Sequence, residues 1–383
     1  MSWKDGKEVA EKRLEFVNLL QDGRYTMVEL CERFGIARSN GYKWVDRYLE
    51  AGLDGLKDRR RAPKGSSLRT ASELEALILK ERDAHKTWGP RKLLAVLERD
   101  YPDVEAWPAA STVYDILKRN GRIQSVRKRR KHEHPGKPFV DMDLPNNVWA
   151  ADYKGQFRLG NGQNCYPLTV TDGYSRFLLM CHALPSTHLE AAKKAFLRLF
   201  KEYGLPDGIL TDNGSPFAST GLGGLTRLSV WWIRLGIRHL RTQPSNPQQN
   251  GRHERMHRTL KAEATKPPQQ TMRAQQLAFD RFRNEYNHVR PHEALDQQTP
   301  ATIYAASPRQ CPDRLPTVEY PSNFITRLVS SHGSIRFNSA QIFVTQALAG
   351  EHIGLEECGD GIWNVFFGTA AVGRLDVRTA TVK

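Results

Sequence analysis

Cysteine is scarce in this chain. Five stand at 31, 165, 181, 311 and 358, and no two form a CxxC pair. An odd, scattered set argues against a disulfide framework or a cysteine-rich zinc site. It fits reduced thiols, so a cytoplasmic location is expected. Long apolar runs are also missing. No uncharged stretch approaches the ~18 residues of a membrane span, and Met1-Ser2-Trp3-Lys4-Asp5 has no apolar core of a secretory leader. Secreted and membrane classes are therefore set aside. Acids are in deficit: 57 Lys and Arg face 42 Asp and Glu, a formal net charge of +15. Basic side chains gain free energy by releasing condensed counterions from phosphate backbones, so a polyanionic partner is expected. A merely basic protein is the competing reading, and the clustering of the charge favours nucleic acid.

What is present suggests several modules, since 383 residues exceed one ordinary core. The overall class is multidomain α+β: helix-turn-helix modules, a central α/β domain and a terminal β-barrel. Residues 1–56 predict a first helix-turn-helix. Met27 to Phe34, the turn Gly35-Ile36-Ala37 and a helix from Arg38 to Tyr48 carry the pattern. The second helix would present Arg38, Ser39, Asn40 and Lys43 outward, with Tyr42, Val45 and Leu49 inward. A basic linker covers 57–70, where Arg59, Arg60 and Arg61 are candidate DNA contacts. Residues 71–125 predict a second helix-turn-helix, with Pro90 at a helix start and Asn120-Gly121 at a helix end. Thr112, Lys118 and Arg119 are its candidate contacts. Five consecutive cations, Arg127 to Lys131, mark a second linker over 126–144. His132 and His134 lack cysteine partners, so no zinc site is expected.

The pattern changes over 145–310. Val148 to Tyr153, Tyr166 to Thr171 and Phe177 to Ala183 read as strands, the last two joined by the turn Asp172-Gly173-Tyr174-Ser175. Thr187-His188-Leu189-Glu190 reads as a capping box opening a helix to Tyr203. Gly208 to Thr211 and Ile237 to Leu240 are further strands. Helices follow near 225–235, from Pro247 past Leu260, and over 271–290 with Leu277, Phe279, Phe282 and Tyr286 as apolar members. Three meandering strands followed by alternating helices and strands predict a mixed α/β sheet. Residues 321–383, short alternating segments with the turn Gly359-Asp360-Gly361, predict a small all-β barrel.

The chemistry candidates are three acids at element ends: Asp152, Asp212 and Glu254. Singly, each has a bland reading as a turn former or a solvated side chain. Gathered by the fold they would repel one another, and a hard divalent cation would hold them together. Two Mg²⁺ or Mn²⁺ ions so held would bind the attacking and leaving oxygens of a phosphoryl displacement. Asp172 is set down as hairpin chemistry. Asn250, Glu254, His257, Arg258 and Lys261 share one helix face by their spacing, and a surface Glu254–Arg258 ion pair is the competing reading.

Four segments carry a resemblance. They are Trp149-Ala150-Ala151-Asp152; Leu210 to Phe217, containing Asp212-Asn213-Gly214; Pro247 to Lys261, containing Asn250-Gly251 and Glu254; and Tyr286 to Leu295 with Thr299-Pro300. Behind two helix-turn-helix units, they resemble the DDE insertion-sequence transposases of the retroviral-integrase superfamily. The resemblance covers about residues 10–310. It implies an RNase H-like catalytic domain in which Asp152, Asp212 and Glu254 are the metal-binding triad. It implies that Lys261, with Arg258 on the same face, contacts transposon-end DNA, and that a homo-oligomer, dimer or tetramer, holds two ends together. Terminal-repeat binding, nicking and strand transfer would follow. One departure stands out: Ser219 to Trp232 holds extra residues, including the glycine-rich Thr220-Gly221-Leu222-Gly223-Gly224. A DNA-binding regulator with an inert catalytic fold and a structure-specific nuclease are the rival readings, since fold alone does not determine function.

Overall fold

The structure is a computed structural model and describes residues 6–58, 70–123, 142–243 and 247–383. Two units are separated by contact density, Met1–Arg69 and Thr70–Lys383. The linker arginines Arg59, Arg60 and Arg61, and His132 and His134, lie outside the described residues.

In the first unit, α1 (Gly6–Gln21), α2 (Met27–Phe34) and α3 (Arg38–Ala51) pack around Phe16, Val17, Leu30, Cys31, Trp44 and Leu56. Thr26 and Glu29 form a reciprocal cap at the start of α2: each side chain accepts from the other's backbone N–H. Gly35, at φ 62°, ends α2 and makes the tight turn that Gly35-Ile36-Ala37 predicts. The inward face of α3 differs from expectation. Gly41 and Trp44 are buried and Val45 and Tyr48 half-buried, whereas Tyr42 is 56% and Leu49 70% exposed. The expected set has the right spacing but is rotated by one residue. Gly41 decides the phase, because a Cβ there would lie 2.8 Å from Cys31 Sγ, and only glycine lets the helices cross so closely.

The second unit begins with α4 (Ser72–Ala84), α5 (Pro90–Asp100) and α6 (Ala110–Arg119), wrapped around Ile78, Trp88, Leu93, Leu97, Val113 and Ile116. Pro90 opens α5 and Gly121, at φ 67°, follows the end of α6, both as expected.

The central sheet contains β1 (Val148–Tyr153), β2 (Phe157–Arg158), β3 (Asn164–Asp172), β4 (Leu178–Leu184), then α7 (Leu189–Tyr203), β5 (Gly208–Thr211), α8 (Arg227–Arg234) and β6 (Arg238–Arg241). Its order is β4-β3-β1-β5-β6, with short β2 pairing the start of β3. β4, β3 and β1 are antiparallel neighbours; β1, β5 and β6 are parallel. Central β1 is apolar from Val148 to Ala151 because both of its faces are covered. Asp172 is buried and structural, as expected. Its carboxylate accepts from the N–H groups of Asn146 (2.7 Å) and Ser175 (2.8 Å) and from the Ser175 hydroxyl (2.6 Å).

Two local expectations are corrected. The Thr187–Glu190 capping box does not form: α7 begins after His188 with no side-chain cap. Its buried face of Ala192, Phe196, Leu199 and Phe200 holds it instead, while Thr226 and Ser229 cap α8 reciprocally. After α9 (Gly251–Ala264), α10 (Met272–His288) buries Phe279, Phe282 and Tyr286 but leaves Leu277 57% exposed, on the opposite side of the helix.

The C-terminal region holds β7 (Ile325–Leu328), β8 (Ser334–Phe337), β9 (Ala340–Phe343), β10 (His352–Gly359), β11 (Ile362–Phe367), β12 (Ala370–Asp376) and β13 (Thr381–Val382). The expected barrel is not closed by hydrogen bonds. A curled antiparallel sheet runs β13-β12-β11-β10-β7, with the β8–β9 hairpin as a separate ladder. The two edge strands β13 and β7 do not pair with each other; the hairpin shares the core instead, through Ile335, Phe337 and Ile342.

The extra residues after Asp212 have a definite place. Leu225 and Val230 join the same core as Val365, Phe367 and Val372. Gly223, at φ +63°, passes so close that an added Cβ would lie 3.1 Å from the Val372 carbonyl oxygen. The insertion therefore seats the C-terminal sheet on the central domain. Val230→Asp would bury a carboxylate in this seam at a cost on the order of 2–4 kcal/mol. We expect faster proteolysis within 325–383 with little change over β1 to β6. Unchanged cleavage would show that the seam does not hold the sheet.

Candidate active site

The β1–β5 register pairs Ala150 with Leu210 and Ala151 with Thr211. The next residues are Asp152 and Asp212, so these acids stand side by side at the carboxyl ends of adjacent parallel strands, the usual ligand edge of such sheets. Asp212 is exposed, and its Oδ1 accepts from the Gly214 N–H at 3.1 Å. A Cβ on Gly214 would come within 3.0 Å of the other carboxylate oxygen, so glycine here leaves that oxygen uncovered. Glu254 lies exposed in the first turn of α9.

The electrostatics tie the three together. The Asp152 carboxyl is pushed up to about 7, first by burial, then by the Asp212 charge, with a smaller push from Glu254; the Tyr153 backbone N–H and Lys154 oppose this. Among the described residues no ion pair joins Glu254 to Arg258, the competing reading of that acid.

Beneath the acids lies a polar network within the fold. The Thr169 hydroxyl contacts the Asp152 carbonyl (3.0 Å), His253 Nε2 (2.7 Å) and His257 Nε2 (2.7 Å), and the Thr171 hydroxyl contacts His253 Nδ1 (2.8 Å). His257 Nδ1 lies 3.7 Å from Asp152 Oδ2. Burial pushes His253 down to about 3 and His257 down to about 2. The face expected for α9 is thus divided. Asn250 and His257 are buried, whereas Glu254, Arg258 and Lys261 are exposed. Spacing of three and four residues spans the edge of a face as well as its centre, and the sheet buries one side.

The remaining site candidates separate by environment. Arg38, Ser39, Asn40 and Lys43 are all exposed on the first half of α3. On α6, Lys118 is exposed and Thr112 half-buried, while Arg119 is held by the Glu75 carboxylate. Lys154 was not among the sequence candidates. Burial and the charge of Lys261 both lower its pKa, so the two lysines stand near one another beside the acids. Its signal was simply its place two residues after Asp152, just past the end of β1.

The segment after α10 links the far end of α9 to the α4–α6 module. Arg290 donates to Glu263 at 2.7 Å and lies 5.9 Å from the Trp88 ring centroid. Thr87 also donates to Glu263. His85 stacks on Trp88 at 3.7 Å and bonds Glu285 at 3.0 Å. Lys92 is lowered to about 8 by burial and then by Arg290.

Known families match along this chain in order. A helix-turn-helix domain matches residues 12–64 and a homeodomain-like domain residues 40–117. Two integrase core domain families match residues 143–247 and 235–300, and the C-terminal domain of IS481 family transposases matches residues 325–383. The centre of the chain is thus similar to integrase cores, and its C-terminal region to a domain of insertion-sequence transposases. It is 25% identical, over 61% of its length, to an uncharacterized 39.2 kDa protein of insertion element IS476 from Xanthomonas euvesicatoria, and the match spans 64% of that relative. It is 26% identical, over 61% of its length, to a 31.7 kDa protein of insertion element IS407 from Burkholderia multivorans, spanning 80% of it. A simian T-cell lymphotropic virus intasome, solved with a PP2A regulatory subunit, is similar at 17% identity and TM-score 0.38, covering 76% of this chain and 96% of that one. No helix among the described residues is long and apolar enough to cross a membrane.

Proposed function

We propose that this chain is a DNA transposase: it binds terminal inverted repeats, nicks the 3′ ends and transfers them into target DNA. The observation that carries the reading is the adjacency of Asp152 and Asp212 on neighbouring parallel strands, with the charge of Glu254 acting on Asp152. The donor set fits a hard divalent cation. The three acids offer hard carboxylate oxygens, and the raised Asp152 reflects burial and repulsion that a cation would relieve. Asp152, Asp212 and Glu254 would hold two Mg²⁺ or Mn²⁺ ions. Bound there, the ions would stabilise charge on the attacking and leaving oxygens of an in-line phosphoryl displacement.

The chain's own residues do the rest. Thr169, donating to the Asp152 carbonyl, ties the end of β1 to β3. His253 and His257 tie α9 to the same threonine, which keeps Glu254 near the strand ends. Lys154, Arg258 and Lys261 supply positive charge for the scissile strand's phosphates. Arg38, Ser39, Asn40 and Lys43 would read the terminal repeat from α3, and Arg59, Arg60 and Arg61 would track its backbone. Thr112 and Lys118 offer a second contact; Arg119 would first have to leave Glu75. Two ends must be held at once, so a homo-oligomer, dimer or tetramer, is the expected assembly.

A joining assay on the full chain, with terminal-repeat DNA and Mg²⁺, tests this reading. Cutting followed by joining supports it. Cutting without joining favours a nuclease, and specific binding with neither favours a regulator.

A pH dependence follows from Asp152. A proton on this carboxyl competes with the metal below about pH 7. Apparent Mg²⁺ affinity is therefore expected to fall about tenfold between pH 8 and pH 6, measured by calorimetric titration of the full chain. A flat profile would mean that Asp152 is not a ligand.

A further inference from the structure

We infer that His257 is a nitrogen ligand to the metal ion held by Asp152, so that one ion sits in a mixed nitrogen–oxygen site that favours Mn²⁺ over Mg²⁺. This rests on the reading of Asp152 as a metal ligand given above.

Counting protons points to the atom. The Asp152 carbonyl can only accept, so the Thr169 hydroxyl donates its one proton there, at 3.0 Å. The same oxygen lies 2.7 Å from His253 Nε2 and 2.7 Å from His257 Nε2. Having given up its only proton, it accepts from both, so both rings carry hydrogen on Nε2. His253 Nδ1 then accepts from the Thr171 hydroxyl at 2.8 Å, and both of its nitrogens are engaged. His257 differs. Among the described residues its Nδ1 makes no hydrogen bond, and it faces Asp152 Oδ2 at 3.7 Å from a side chain that is 10% exposed.

With Nε2 protonated, a neutral His257 points a lone pair at a carboxylate oxygen. Two acceptors facing each other at this distance repel, and a metal ion between them would relieve that repulsion. The gap has the right size: one ion about 2.1 Å from each atom bridges 3.7 Å. Ligand-type atoms of Asp152, His253 and His257 all lie within 4.8 Å of one another, and the hydrogen bonds leave only His257 able to coordinate. Thr169 thus acts as a lock that orients the ring, as outer-shell partners of metal-binding histidines do. Imidazole suits Mn²⁺, Co²⁺ or Zn²⁺ better than Mg²⁺, which prefers oxygen and water.

Pulsed electron paramagnetic resonance on the full chain loaded with Mn²⁺ tests the assignment. We expect coupling to a directly coordinated ¹⁴N that becomes a ¹⁵N coupling in protein made with ¹⁵N-histidine. In His257→Asn the coupling should vanish, and Mn²⁺ affinity should fall about 10- to 100-fold, with a smaller loss for Mg²⁺. Mn²⁺ bound in an Asp152-dependent way with no coordinated nitrogen overturns the inference and leaves the carboxylate reading standing. A nitrogen coupling that persists in folded His257→Asn also overturns it. If Asp152→Asn fails to weaken Mn²⁺ binding, both readings fall. The labelled wild-type protein carries the first readout, so a variant that does not fold leaves the test intact.

Discussion

Asp152→Asn is expected to reduce end joining by on the order of 10³-fold or more, while making the metal-free protein harder to unfold at pH 8. The loss follows if the carboxylate helps hold the ions that stabilise charge at the reacting phosphate. The gain in stability follows from burial. The folded-state Asp152 titrates near 7, above its ordinary value of 3.8, so the folded state keeps this proton to higher pH than the unfolded chain does. The resulting destabilisation is absent below about pH 4, grows between there and pH 7, and is complete above. Asparagine removes it, so melting temperature should rise by a few degrees at pH 8 and hardly at all at pH 4. Saturating Mg²⁺ should reverse the order at pH 8, because only the wild type would bind the ions tightly. Specific DNA binding should remain. A variant that joins ends at the normal rate, or that melts lower than wild type without metal at pH 8, would count against a strained carboxylate at the centre of the site.

The second large effect concerns Arg290→Ala. Arg290 and Glu263 form a 2.7 Å pair with side chains only 11% and 19% exposed. Removing the guanidinium leaves Glu263 partly buried with Thr87 as its remaining donor among the described residues, and breaking one side of such a pair costs about 3 kcal/mol or more. It also takes the cation from beside Trp88. The expected result is local. Hydrogen exchange in α4–α6 should rise by about two orders of magnitude, well before β1 or β5 loosens. Joining should fall because the far end of α9 loses its brace. Arg290→Lys should recover part of this, since an ammonium restores the charge but not the planar fork. Unchanged exchange in α4–α6 would mean that the apolar contacts around Trp88 hold the module unaided.

Much of this protein is legible in its residues. Helical spacing, Pro90, Gly121 and the Asp172-Gly173 turn mark elements that form where expected, because each depends on interactions within a few residues. The errors share a cause. The phase of α3, the exposure of Leu277, the missing cap at Thr187 and the division of the α9 face all depend on what packs against a helix, and periodicity cannot specify a partner. The C-terminal sheet is of the same kind: alternation predicts strands, but whether the edges meet is a matter of closure.

By itself the sequence determined the chemical inventory. It supplied a strongly basic chain, helical recognition modules and three acids at element ends whose motifs resemble a known enzyme family. Only the tertiary structure decided which groups meet. The parallel register of β1 and β5 sets Asp152 beside Asp212. The crossing of α9 over β3 turns His257 inward, and the glycine-rich insertion becomes the seat of the terminal sheet. Composition and spacing are local properties of a chain, whereas proximity between distant residues exists only once backbone pairing and side-chain burial have closed the loops between them.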